Sequence, residues 1–214
     1  MKLTYTIQVC NESRELFSLL NFLIKVKDDE DNIHVVVDSL HTTDRVKMVL
    51  DNFSDKITVF ERPFDNFYDN AMFHNKQATG DYIFGIDADE MPQEGLIKGL
   101  KKLLSESEID ILFIPRINIH PGSTKEFSEK MGFNINRCGW INWPDYQGRV
   151  YKNSPEITWT NELHTKLTGS DKVNALGAEP ELALWHIKSV EKQESRWVNN
   201  SIANPSGSVY DLLM

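Results

Sequence analysis

The chain has 214 residues, 40% hydrophobic and 26% charged, proportions that suit a globular protein with a substantial core and exclude disordered, collagen-like and low-complexity classes. Lys and Arg number 23 against 32 Asp and Glu, and the net charge of -9 has the wrong sign for a protein that binds by neutralising a nucleic-acid backbone. No apolar run approaches the roughly 20 residues of a membrane-spanning helix, no signal peptide is visible from Met1 to Tyr5, and Cys10 and Cys138 have neither metal-knuckle nor disulfide spacing. A cytoplasmic chain with no nucleic-acid partner and no integral membrane segment is expected.

Strand candidates begin near Leu3, Ile33, Ile57, Tyr82 and Ile109, about one βα unit apart. After the first, Leu16, Leu19, Leu20 and Leu23 keep the i, i+3, i+4, i+7 spacing of an amphipathic helix, and Val46, Val49, Leu50 and Phe53 repeat it after the second. Asn11 or Ser13 can cap the first helix and Thr42 or Thr43 the second, while Met91-Pro92 places proline near the first turn of a helix carrying Leu96, Ile97, Leu100, Leu103 and Leu104. This alternation predicts an α/β domain: a mainly parallel sheet, joined by right-handed crossovers and flanked by helices, with ligands beyond the carboxyl ends of the strands. From about Pro115 the pattern changes. Ile117–Tyr146 has no clean helical period and reads as a loop-rich wall, followed by strands at Gln147–Tyr151 and Ile157–Trp159, an apolar stretch Leu182–Ile187 and a tail rich in Ser and Asn.

Gly80-Asp81-Tyr82-Ile83-Phe84-Gly85-Ile86-Asp87-Ala88-Asp89-Glu90 is an apolar strand ending in three carboxylates within four residues. Extended backbone puts Asp87 and Asp89 on one side, where like charges repel unless a hard cation such as Mg²⁺ or Mn²⁺ lies between them. An acidic solvated turn or a helix cap is the bland alternative, and Glu90 suits it better than the aspartates do. Ile33–Asp38 likewise delivers a carboxylate to a strand end, where it can accept hydrogen bonds from a base or ribose; with Asn11-Glu12 after the first strand, Asp38 defines a polar rim above the sheet. The chain has neither a dinucleotide glycine fingerprint nor a P-loop, so a phosphate group would depend on the cation.

These residues resemble family 2 of the nucleotide-sugar glycosyltransferases, with their GT-A (Rossmann-like) fold, in pattern from Tyr5 to Asp89 and again over Trp143–Leu167; the Ala78–Ile83 approach to Asp87-Ala88-Asp89 is the most specific part. The resemblance implies a metal-dependent inverting transferase that moves a sugar from a nucleotide diphosphate sugar, UDP-linked above all, to an unknown glycan, protein or small-molecule acceptor. It implies one GT-A domain over 1–214, with residues 1–115 the nucleotide-sugar half and 116–214 the acceptor-side half. Asp38 would contact the base, Asp87 the ribose or metal, and Asp89 the metal, with a late histidine, His186 or His164, as a further ligand. The sequence departs from the family where Thr165 follows His164 in place of glutamate, and in the spacing of Asn70, His74 and Asn75.

Inverting transfer needs a carboxylate to take the acceptor's proton, and Asp145 and Glu162 are the candidates. Arg149, Lys188 and Arg196 are candidate diphosphate contacts or ordinary surface charges, and Trp140, Trp143, Trp159 and Trp185 either stack on an acceptor or pack the second half onto the sheet. A core histidine is the bland reading of His186. Three rivals stand: a sugar-phosphate nucleotidyltransferase, whose basic glycine-rich loop is missing at Val9–Ser13; a haloacid-dehalogenase-type phosphatase, whose Asp-x-Asp strand comes first in the chain; and a non-catalytic nucleotide- or carbohydrate-binding relative.

Overall fold

Strand and helix alternate through the first half of the chain in the computed structural model, which describes residues 1–160 and 165–190. In order come β1 (Leu3–Val9), α1 (Ser13–Val26), β2 (Asn32–Asp38), α2 (Asp44–Asn52), β3 (Thr58–Arg62), α3 (Phe67–Gln77), β4 (Tyr82–Asp87), the short β5 (Glu90–Pro92), α4 (Glu94–Glu106) and β6 (Ile111–Ile119). The second half adds α5 (Lys125–Met131), β7 (Ile141–Lys152), β8 (Thr158–Trp159), β9 (Leu167–Thr168), β10 (Val173–Ala175) and β11 (Leu184–Ile187).

The main sheet has the order β3-β2-β1-β4-β7-β6-β11-β5, with β10 also on β6. From β3 to β4 it is parallel, as the crossover helices require. Beyond β4 it is mixed: β7 lies antiparallel to both β4 and β6, and β11 is parallel to β6 but antiparallel to β5. The long β7 thus returns the second half of the chain into the sheet, directly beside the strand that carries Asp87.

Leu16, Leu19, Leu20 and Leu23 of α1 are fully buried, each contributing about 1.5–3 kcal/mol of apolar burial, and join Val46 and Leu50 of α2 and Leu96, Ile97, Leu100 and Leu104 of α4 in one core against β1, β2 and β4. Thr43 caps α2, its hydroxyl accepting from the Val46 amide at 3.3 Å. The α1 start differs from expectation: Ser13 is the first helical residue, Glu12 is the cap residue, and no side-chain cap bond forms there. Pro92 belongs to β5, and α4 starts two residues later at Glu94. The wall expected at Ile117–Tyr146 contains a short helix, α5, which Thr124 caps by accepting from the Phe127 amide at 3.1 Å and Gly132 ends at φ +67°. At seven residues, α5 is too short to show a period.

Helix α3 breaks the apolar rule. Its buried residues are Asn70 and His74. Asn70 donates to Gln8 Oε1 at 2.8 Å, and burial pushes the His74 imidazole down to about 4, with Asp87 and Arg62 among the charges it feels.

Candidate active site

Strand register assembles the site. Arg116 of β6 pairs with Asp145 of β7 and Leu184 of β11, Asn118 pairs with His186, and His186 pairs across β11 with Glu90 of β5. Val150 of β7 pairs with Phe84, which brings Arg149 alongside the last turns of β4 toward Asp87. Residues far apart in sequence therefore meet in one polar layer at the strand ends.

The layer is a continuous charge network. Arg149 donates to Asp87 Oδ2 at 2.6 Å and also to Glu90 Oε1. Arg116 donates to Glu90 Oε1 at 2.9 Å and, through Nε and a terminal nitrogen, to Asp145 Oδ2 at 3.0 and 2.7 Å. Asn118 Nδ2 gives Asp145 Oδ2 a further donor at 2.8 Å, and Gln147 reaches Asp145 Oδ1 at 2.7 Å. Glu90 is fully buried and its second oxygen accepts from the Asp87 amide at 3.1 Å, so it clamps two guanidinium groups and a backbone turn rather than sitting in a solvated acidic turn. Partial desolvation opposes ionisation of Asp87, but Arg149 outweighs it and holds the carboxyl below its ordinary range. Burial likewise works against ionised Asp145, and Arg116 with the Asn118 and Gln147 amides reverses the sign.

The amide of Asn118 fixes the chemistry of His186. Because Nδ2 donates to a carboxylate, Oδ1 is the acceptor that meets His186 Nδ1 at 2.7 Å, so Nδ1 carries a proton, and when the ring is neutral Nε2 carries the lone pair. That lone pair faces Asp89 Oδ2 across 3.5 Å. Two acceptors at this separation repel unless a proton or cation joins them, and an imidazole oriented by an acceptor on its other nitrogen is the usual preparation of a metal-binding histidine. Among the described residues no cluster of three or more His, Cys, Asp or Glu side chains stands ready to hold a metal, so a cation here would have two protein donors and take its others from ligand oxygens and water.

Asn11 is buried and Asp38 is 6% exposed at the ends of β1 and β2, on the rim predicted for them. Glu12 turns back on its own loop, its Oε2 accepting from the Cys10 and Asn11 amides at 3.1 Å each. The two candidate diphosphate contacts within the described residues are not surface charges: the Arg149 side chain is 15% exposed and committed to Asp87 and Glu90, and Lys188 is buried. Glu162, His164 and Arg196 lie outside the described residues. Trp140 packs edge-on to Trp143 at 5.1 Å and to Trp185 at 6.4 Å, so these rings pack on one another. Trp185 also lines a groove of about 780 Å³ beside Asp89, between α1, α2 and the β5 and β11 strands. Arg116 and Asn118 belong to no motif of the sequence, although a charge and an amide inside the apolar run Ile111–Ile119 are a legible signal.

Known proteins share this fold. The description "Glycosyl transferase family 2" matches residues 6–168. The chain is 31% identical over 140 residues to the SPbeta prophage-derived glycosyltransferase SunS of Bacillus subtilis (strain 168), a match covering 63% of this chain and 31% of that protein, so the chain spans about a third of the relative's length. In fold it is similar to S. aureus TarS: residues 1–349 of that protein, in complex with UDP-GlcNAc, superpose with a TM-score of 0.60 at 15% identity over 88% of this chain and 59% of the other. The longer TarS structure gives 0.60 at 17% identity over 96% of this chain and 41% of the other. The matched span contains Asp38, Asp87, Asp89, Asp145 and Arg149, and the chain belongs to glycosyl transferase family 2.

Proposed function

We propose that the chain is a cation-dependent, inverting glycosyltransferase that moves a sugar from a nucleotide diphosphate sugar, with a UDP-sugar as the expected donor, to an acceptor still to be identified. The observation that carries this reading is the pair of lone-pair donors, Asp89 Oδ2 and His186 Nε2, held 3.5 Å apart at the end of the strand that also bears Asp87. Mn²⁺ or Mg²⁺ suits one carboxylate oxygen and one imidazole nitrogen, with remaining positions left for diphosphate oxygens, and such an ion supplies Lewis-acid stabilisation to a departing diphosphate. Asn11, Glu12 and Asp38 line the nucleotide end of the site, and Asp87, fixed by Arg149, lies between nucleotide and cation.

Asp145 is the base of this reading. Among the described residues its Oδ2 takes three donors while Oδ1 takes only Gln147, which leaves Oδ1 the better placed to receive a proton. Arg116 keeps the carboxylate ionised, so it is ready as an acceptor at neutral pH. Glu162 is the second candidate for this role and His164 a further metal ligand. Domain extent, 1–214 as one GT-A unit, belongs to the same proposal.

Calorimetric titration of UDP and GDP, with and without Mn²⁺, tests the reading against the Asp89→Ala variant. Nucleotide diphosphate binding that needs Mn²⁺ and is lost in the variant is expected; no binding of either nucleotide to the wild-type chain at saturating Mn²⁺ would refute it.

A further inference from the structure

Three neighbouring strands each send one side chain into the same row: Asp145 from β7, Asn118 from β6 and His186 from β11. Strand β6 lies between the other two. Asn118 pairs in register with His186, while Arg116, two residues earlier on the same face of β6, pairs with Asp145. The buried Asn118 amide bridges the row, its Nδ2 donating to Asp145 Oδ2 at 2.8 Å and its Oδ1 meeting His186 Nδ1 at 2.7 Å.

A carboxamide rotated by half a turn about its last bond would offer the opposite groups in the same places. Asp145 decides between the two orientations, because an ionised carboxylate only accepts and the rotated amide would set oxygen against oxygen at 2.8 Å. Asp145 is itself held: Arg116 donates twice to the same Oδ2, at 3.0 and 2.7 Å, and is anchored from behind by Glu90 at 2.9 Å. The row therefore transmits a choice. With the amide as found, Oδ1 keeps the imidazole proton on Nδ1 and leaves the Nε2 lone pair facing Asp89 Oδ2 across 3.5 Å. With the amide rotated, its Nδ2 would claim a lone pair on Nδ1, the proton would move to Nε2, and the nitrogen donor for a cation would be lost. Resting on the transferase reading above, we infer that Asn118 is a positioning residue through which Asp145 sets the cation-binding face of His186. The carboxylate that serves as base and the imidazole that serves as cation ligand are then one unit, and removal of the first damages the second from two strands away.

The test reads the His186 imidazole by ¹⁵N shifts at pH 8 without metal, and Mn²⁺ uptake by loss of the free-ion EPR signal in the presence of UDP or GDP. The wild type should carry the His186 proton on Nδ1. Asn118→Leu and Asp145→Leu should both move it toward Nε2, where Asp89 can accept it, and weaken Mn²⁺ binding about tenfold or more, the scale of a lost partner behind a metal ligand. Asn118→Asp should keep both readouts near wild type: two carboxylates this close hold one proton between them, which restores a donor toward Asp145 and leaves an oxygen to accept from Nδ1. A merely structural role would not move the proton in one direction, nor separate Asn118→Asp from Asn118→Leu. The wild-type shifts decide the tautomer even where a variant fails to fold. A wild-type proton on Nε2, Mn²⁺ binding left within twofold by Asn118→Leu or Asp145→Leu, or a tautomer disturbed as much by Asn118→Asp as by Asn118→Leu would overturn the inference. A wild-type chain with its His186 proton on Nδ1 that takes up no Mn²⁺ with either nucleotide would instead overturn the cation-dependent transferase reading on which the inference rests.

Discussion

Replacing Arg149 by methionine is the sharpest perturbation of the network, because its guanidinium bridges the carboxylates of the half-exposed Asp87 and the fully buried Glu90. At the Asp87 end the carboxylate side chain is 46% exposed, so loss of that ion pair costs under about 1 kcal/mol after water screens the charge. At the Glu90 end exposure is zero, and removal of one guanidinium leaves a buried carboxylate supported by Arg116 at 2.9 Å and the Asp87 amide. Breaking a buried pair costs about 3–5 kcal/mol, and the surviving Arg116 places this site at the low end, ~3 kcal/mol. Urea unfolding followed by tryptophan fluorescence measures the loss, expected as a midpoint lower by about 1 M or more with unchanged slope. Adding Glu90→Gln removes the stranded charge, so the double variant should be more stable than the sum of the two single losses by about 1–3 kcal/mol. An Arg149→Met cost below about 1 kcal/mol, or no coupling to Glu90→Gln, would show that the bridge does not hold the site together.

What could be read from sequence was whatever has a local period or a strand end. Leu16, Leu19, Leu20 and Leu23 announce α1 because one helical face needs only nearby residues, and Asp87 and Asp89 stand out because a strand of apolar residues has no packing reason to end in carboxylates. Thr43 was legible as a cap for the same local reason. The partners of Glu90 were not, since Arg116 and Arg149 lie 26 and 59 residues away and arrive only through the antiparallel register of β7 against β4 and β6. A parallel sheet follows from βα spacing; the reversal at β7 follows from tertiary pairing that no periodicity records. By sequence Glu90 therefore suits a solvated turn or helix cap better than Asp87 and Asp89 do, whereas in the fold it is the buried centre of the network. His186 was legible as a residue type, but its tautomer depends on the chain from Asp145 through Asn118, which exists only once β6, β7 and β11 are side by side.

Two further outcomes concern stability. A Cβ at Gly80 would lie 2.7 Å from Lys2 O and Thr4 N, both backbone atoms of the segment leading into β1, so Gly80→Ala should cost at least ~2 kcal/mol in urea unfolding, and a neutral substitution would mean that β1 and the β4 entry are not packed this closely. Acid should destabilise the fold well above the range in which carboxylates protonate. Burial pushes His74 and His120 from an ordinary 6.5 down to about 4, and lowers His34 as well. Between pH 6.5 and 4 the unfolded chain therefore binds protons that the folded chain refuses, so stability is flat above about pH 7 and falls as pH drops through this window, by ~1.4 kcal/mol per pH unit for His74 and for His120 and ~3 kcal/mol for each of these two by pH 4, with His34 acting in the same direction. The ion-paired Asp87 and Asp145 act lower, because their folded-state values lie below 3.8 and their stabilisation is lost only as pH falls beneath that value. Urea unfolding at pH 7.5, 6.5, 5.5 and 4.5 separates the two groups. Substituting His74 by Asn should reduce the slope between pH 6 and 4.5 by about one proton whatever it does to absolute stability, and a slope near zero in the wild-type chain across that window would mean that these imidazoles take up protons in the folded state as readily as in the unfolded one.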